Sequence, residues 1–234
     1  MITNRFCRSG LLIICILIAV IVVSIVPPAI ADRHNPGVYP LDSKPYGVGY
    51  RDLSTKWWQW VLPIPSDVNP MNDPTGKNCN QNQKGPVWYL AGTGAGPTVR
   101  ECTIPSGKSI FFPIYVTECS FAEYPQLKTL AALHSCAVNL NQGTTLQVSV
   151  DGKNMQMLDS YRASSLPFGF TFPVKNVFGA PPGPTQAVSD GWFILLEPLK
   201  PGNHVIHQVG SNIGNPTTGT QSYINDVTWH LLVK

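Results

Sequence analysis

Charged side chains are scarce: Asp, Glu, Lys and Arg make up 12% of the 234 residues, about half of the roughly 25% usual for soluble domains. That scarcity excludes coiled coils, charge-rich tails and salt-bridged helical bundles. No Lys/Arg-rich stretch is present, so the footprint of a nucleic-acid binder is missing. Neither a G-x-S-x-G elbow nor an H-E-x-x-H motif occurs, which removes the two commonest sequence signs of a hydrolase. The cysteines include no C-x2-C pair, so the close ligand spacing of a zinc site is absent. No internal repeat is found. What the chain does have is 22 Pro and 20 Gly, too dispersed for collagen and too frequent for long helices.

The first residues carry an address. Arg5 and Arg8 precede an apolar run from Leu11 to Val26, followed by Pro27, Pro28 and the triplet Ala29-Ile30-Ala31. A basic start, an apolar centre and a small-x-small site form the order of a secretory signal, cut after Ala31. The run is shorter than the roughly 20 residues that span a bilayer comfortably. The alternative is an uncleaved anchor helix, which leaves the rest of the chain on the same outer side because the arginines stay cytoplasmic. Without Arg5 and Arg8, 14 basic residues face 13 acidic ones, and no electrostatic partner follows from the charge. The expected organisation is a signal or anchor over residues 1–31, a linker or N-terminal arm over 32–49, and one domain over 50–234.

Cys79, Cys102, Cys119 and Cys136 remain after that segment. Outside the cytoplasm they read as two disulfides, with three possible connectivities. The sequential pairing, Cys79 to Cys102 and Cys119 to Cys136, closes the shortest loops and is the one expected. Each bridge stabilises by about 3 kcal/mol in the chain-entropy picture.

Leu53, Trp57, Trp60 and Val61 repeat at helical spacing, predicting a helix over 50–62 that Pro63 stops. A second helix is expected over 126–138. Between and after them the period changes to two. Strands are expected at 87–91 and 98–103, joined as a hairpin by the Gly-rich turn 92–97, and at 109–114. Leu146, Val148 and Val150 alternate before the turn signal Asp151-Gly152. Phe168, Phe170 and Phe172, then 191–196, 204–209 and 227–233, complete the set, with 174–189 read as a crossing loop or lid. This pattern predicts a mainly β fold, an antiparallel β-sandwich or jelly roll with one or two peripheral helices.

Several short motifs occur together: Trp57-Trp58-x-Trp60, Gly85 to Gly92 (GPVWYLAG), Cys102-x-x-Pro105-x-Gly107-Lys108, Phe111-Phe112-Pro113, Asp190-Gly191-Trp192, and Leu199-x-Pro201-Gly202-x-His204. In these the chain resembles a group of uncharacterised secreted proteins of bacteria and archaea. The resemblance covers most of residues 47–234 and implies secretion; it brings no activity, ligand or catalytic residue.

Among candidate sites, Trp57, Trp58 and Trp60 are the most distinctive. Large rigid rings with a polar edge can stack on sugars or a partner, whereas an apolar helix stripe ordinarily faces the core. Trp58 points about 100° from Trp57 on a helix and is the better ligand candidate. His204 and His230 on neighbouring strands, with Asp226 or Asp190 as a third group, form a weak metal candidate, set against separate local hydrogen bonds; no metal or other cofactor is expected. The Asn-rich loop 69–83 offers one carboxylate, Asp73, and reads as a turn-rich surface loop rather than a calcium site. Glu118 and Glu123 flank a Cys-linked loop, and no residue is assigned a catalytic role. The expected protein is a secreted or cell-surface binding or envelope module, its ligand a carbohydrate or cell-surface polymer, with no nucleic-acid partner. The membrane enters only through an uncleaved N-terminal segment. The alternatives are an extracellular hydrolase acting on a polymer and a structural envelope subunit.

Overall fold

Two α-helices and nine strands occur among the described residues. In chain order they are α1 (Tyr50–Val61), β1 (Val87–Tyr89), β2 (Thr98–Ile104), β3 (Ser109–Ser120), α2 (Leu130–Leu140), β4 (Thr145–Val150), β5 (Lys153–Asn154), β6 (Phe168–Phe172), β7 (Gly183–Leu196), β8 (Gly202–Asn212) and β9 (Tyr223–Val233). The computed structural model describes residues 35–94, 96–214 and 221–234. The expected signal or anchor segment 1–31 lies outside them, and no helix among the described residues is long and apolar enough to cross a membrane. The fold is mainly β, with one sheet ordered β1-β3-β7-β6 and the other β2-β9-β8-β4-β5.

Three expectations change. The 87–103 hairpin does not form, because β1 and β2 belong to different sheets. The turn between them crosses to the second sheet, and a Cβ on Gly92 would lie 2.8 Å from the Asn225 side chain. The sheets are not wholly antiparallel either: β1 runs parallel to β3, and β2 runs parallel to β9. Finally, residues 183–189 are not loop but the first half of β7. Its outer edge is covered in succession by β6, by the extended segment 162–165 and by a bridge from Val38 to Leu196. That cover explains why Ala187–Leu196 is buried throughout.

The register of β3 against β7 shifts between Pro113 and Tyr115, and a bulge frees backbone carbonyls that must find partners. The second sheet supplies them. Gln208 Nε2 donates to the Pro113 carbonyl at 2.7 Å, and Asn225 Nδ2 to that of Ile114 at 2.8 Å. Gly210 is required there, since a Cβ would lie 2.3 Å from the Ile114 oxygen. The Cys79–Cys102 and Cys119–Cys136 disulfides form in sequential pairing. The first ties the Asn-rich loop to β2, and the second ties α2 to β3 around a small core of Leu133, Ala137 and Val188.

Candidate functional site

The three tryptophans of α1 are packing residues, not a displayed platform. Trp57, Trp58 and Trp60 are all buried. Trp57 Nε1 donates to the Leu90 carbonyl at 2.9 Å, and Trp60 Nε1 to that of Gln81 at 2.7 Å. The Trp57 ring meets Trp58 edge-on at 4.7 Å and Phe193 of β7 at 6.0 Å. Trp58 does leave the helix on a different side, but the loop after β6 returns over it with Phe178, whose ring centroid is 6.5 Å away. Sequence spacing cannot show a loop folding back from more than 100 residues downstream.

The candidate metal ligands are dispersed. His204 lies opposite Leu231 on the inner face of the second sheet, whereas His230 lies opposite Val205 on the outer face. Asp226 Oδ1 instead pairs with His207 Nε2 at 3.1 Å, and Asp190 belongs to the other sheet. No group of three metal-ligating side chains occurs among the described residues. His204 has a different task. Its Nδ1 is 2.8 Å from Asp151 Oδ2 and its Nε2 is 2.8 Å from the Lys200 carbonyl, so each ring nitrogen faces an acceptor. Burial alone would lower its pKa, but these two acceptors raise it above the usual value. In the Asn-rich loop, Asp73 spends both carboxylate oxygens on the turn, accepting from the Thr75 and Asn78 amides.

Asp190 is the most heavily bonded side chain of the first sheet. Its Oδ2 accepts from Arg162 Nε at 2.8 Å and from Asn141 Nδ2 at 2.8 Å, while Oδ1 accepts from Ser164 Oγ at 2.6 Å. The Arg162 guanidinium completes a salt bridge at 2.5 Å and lies 4.7 Å from the Trp192 ring centre. Burial would raise the carboxyl pKa, but these donors hold it below the usual carboxylate range. A carboxylate so satisfied is a poor base. His134 Nε2 is 3.4 Å from Ser164 Oγ, yet Ser164 already gives its proton to Asp190, so the three do not form a nucleophile–base–orienter relay. The sequence marks Asp190-Gly191-Trp192 but not Arg162, Ser164 or Asn141, which lie in stretches without any motif.

On the neighbouring positions of β3, Glu118 is buried, its carboxyl facing Glu123 and Ser120. Burial and the adjacent Glu123 carboxylate push its pKa well up, while Glu123 Oε2 accepts from Ser120 Oγ at 2.6 Å. Glu118 is therefore held neutral where an unfolded glutamate, with a pKa near 4.3, is ionised. Its stabilising protonation is complete below that value and is lost as pH rises through the raised folded pKa. Glu118→Gln, which fixes the neutral state, is expected to melt with wild type near pH 4 and above it at pH 8, as read by calorimetry across that range.

The outer face of the second sheet is open. In register, Glu101 of β2 lies beside His230 of β9, which lies beside Val205 of β8; the next outward row is Thr103, Leu232 and Asn203. These six residues line a depression of about 350 Å³. A second, of about 420 Å³, adjoins it across Glu101 to Thr103 and is lined by Thr75, Lys77 and Asn80 of the disulfide-tethered loop. Exposed donors and acceptors thus alternate with small apolar patches on a rigid, hydrogen-bonded surface.

No protein-family model matches the chain, and no curated protein matches it. Among solved structures, the solution structure of Amebosin is similar at 11% identity with a TM-score of 0.23, covering 64% of this chain and 100% of that one. PbICP-C, solved in complex with falcipain-2, is similar at 12% identity with a TM-score of 0.23 and the same coverage. Likeness at that level carries no inference about this chain.

Proposed function

We propose that this protein is a β-sandwich binding module displayed outside the cytoplasm, and that its ligand is a carbohydrate or other hydroxyl-rich cell-surface polymer. The observation that carries the reading is the open face of the second sheet with its two adjoining depressions. A polymer rich in hydroxyl groups needs side chains that both donate and accept, interleaved with short apolar surfaces for its C–H faces. Glu101, Thr103, Asn203 and His230 supply the first, and Val205 and Leu232 the second. The two disulfides suit an oxidising compartment, and the segment 1–31 supplies the export signal or outer-side anchor.

A glycan array probed with the intact protein tests the ligand class. Binding to one group of glycans is expected, weakened about tenfold by Glu101→Ala or His230→Ala, the effect of roughly 1.4 kcal/mol in a charge-assisted hydrogen bond. A blank array, or binding indifferent to both substitutions, would sink the reading and favour a structural envelope subunit. The hydrolase reading has its own support in Glu118, a carboxyl whose pKa is raised by burial and by the neighbouring Glu123, since a raised carboxyl is a feature of general acids. Polymer cleavage abolished by Glu118→Gln would favour it.

A further inference from the structure

A second surface, remote in sequence from the open sheet face, gathers positive charge around one residue. Ser164 lies in the extended segment beside β7, where the amides of Ala163 and Ser165 bond to that strand. The intervening Ser164 amide and carbonyl therefore point to the free edge. Arg51 of α1 reaches this edge and donates from Nε to the Ser164 carbonyl at 3.2 Å. His134 of α2 approaches from the other side, with Nε2 3.4 Å from Ser164 Oγ. Because Ser164 Oγ donates to Asp190, His134 Nε2 carries the proton and donates to it. Arg162 precedes Ser164 by two residues on the same side of the segment.

The charges do not cancel at the surface. The carboxylate here, Asp190, has a side chain only 3% exposed and both oxygens occupied, whereas the Arg162 side chain is 37% exposed. Arg51 and His134 are exposed, and neither forms an ion pair with a described residue. The Arg51 terminal nitrogens, Arg162 Nη1 and the Ser164 amide have no acceptor among the described residues. All are donors, three of the four nitrogens lie on guanidinium groups, and together they match a planar or tetrahedral oxyanion. Arg51 is held by the Ser164 carbonyl, and Arg162 by Asp190 and the Trp192 ring, so part of the ordering cost is met before a ligand arrives.

We propose that the rim formed by Arg51, Arg162, His134 and Ser164 binds an oxyanion group, a sulfate, phosphate or carboxylate, carried by a ligand outside the cytoplasm. The test titrates the intact protein at low ionic strength with sodium sulfate, sodium phosphate and oligogalacturonate in separate arms, following the Arg51 and His134 side-chain NMR signals. Saturable shifts with at least one probe are expected, and the arm that saturates at the lowest concentration identifies the group. Arg51→Gln should weaken that binding about tenfold and His134→Ala about threefold, whereas Lys175→Gln, on a different loop, should leave it unchanged. Equal affinity in the Arg51→Gln protein, equal loss in Lys175→Gln, or no saturable shift with any probe overturns the proposal. Melting temperatures of the variants within about 2 °C of wild type separate loss of binding from loss of fold. Because the Glu101 and His230 face is not involved, this result is independent of the glycan array.

Discussion

Trp57→Ala is expected to destabilise the fold by about 4 kcal/mol, in the range for removing a buried aromatic ring. For a chain of this size that lowers the melting temperature by roughly 8–16 °C. The ring is 1% exposed and is the common neighbour of Trp58, Trp60 and Phe193. Its removal also leaves the Leu90 carbonyl without the donor it has in α1. The surroundings cannot collapse into the gap easily, since Phe193 is stacked on Phe111 at 4.9 Å within paired strands. Trp58→Ala is the sharper companion. An exposed stacking platform predicts an unchanged melting temperature; packing under Phe178 predicts a fall of several degrees, and circular dichroism melts decide between them. An unchanged value for Trp58→Ala would restore the ligand-platform reading.

Asp190→Ala is expected to cost about 3 kcal/mol, the lower end for removing one partner of a buried pair, because Arg162 keeps a third of its side chain in water. The carboxylate joins α2, the segment 162–165 and β7 through Asn141, Arg162 and Ser164. Without it, three donors aim at an empty position and α2 loses a tie that the Cys119–Cys136 bridge cannot replace. Its folded pKa is lowered, so the stabilisation is present above about pH 4, the unfolded value, and is lost as pH falls through the folded pKa. The difference in stability between wild type and Asp190→Ala, from urea denaturation, should therefore shrink on acidification below pH 4. A double-mutant cycle with Arg162→Ala measures the coupling directly. Purely additive losses would show that Asp190 acts without Arg162.

Much of the secondary structure was legible because local chemistry fixes it. The α1 stripe, the Asp151-Gly152 turn joining β4 to β5, and the alternation Val227, Trp229, Leu231, Val233 all appear where periodicity places them. Strand partners were less legible. Gly92 to Pro97 has the composition of a hairpin turn, yet it carries the chain from one sheet to the other, because Thr93 and Gly92 pack against Asn225 of β9. Arg100 shows the same limit within one strand. Hydropathy would turn it outward and Val99 inward, but Cys102 and Ile104 set the register, leaving Val99 63% exposed and Arg100 1% exposed. Inside, Arg100 bonds the Ala91, Gly92 and Met71 carbonyls and lies 5.3 Å from the Trp229 ring centre, and burial draws its pKa down to about 10. It remains charged at neutral pH.

By itself the sequence determined the β-rich class, the positions of both helices to within a few residues, and the disulfide pairing that short loops favour. These depend on interactions spanning a few residues to about two dozen, where chain connectivity alone brings the partners together. The tertiary structure decided which side chains face water. It buried Trp58 under Phe178, separated His204 from His230 by one step of strand alternation, and brought Arg51, His134 and Arg162 to Ser164 from three parts of the chain. Such contacts arise from how sheets and helices pack, and a single sequence carries no local record of them.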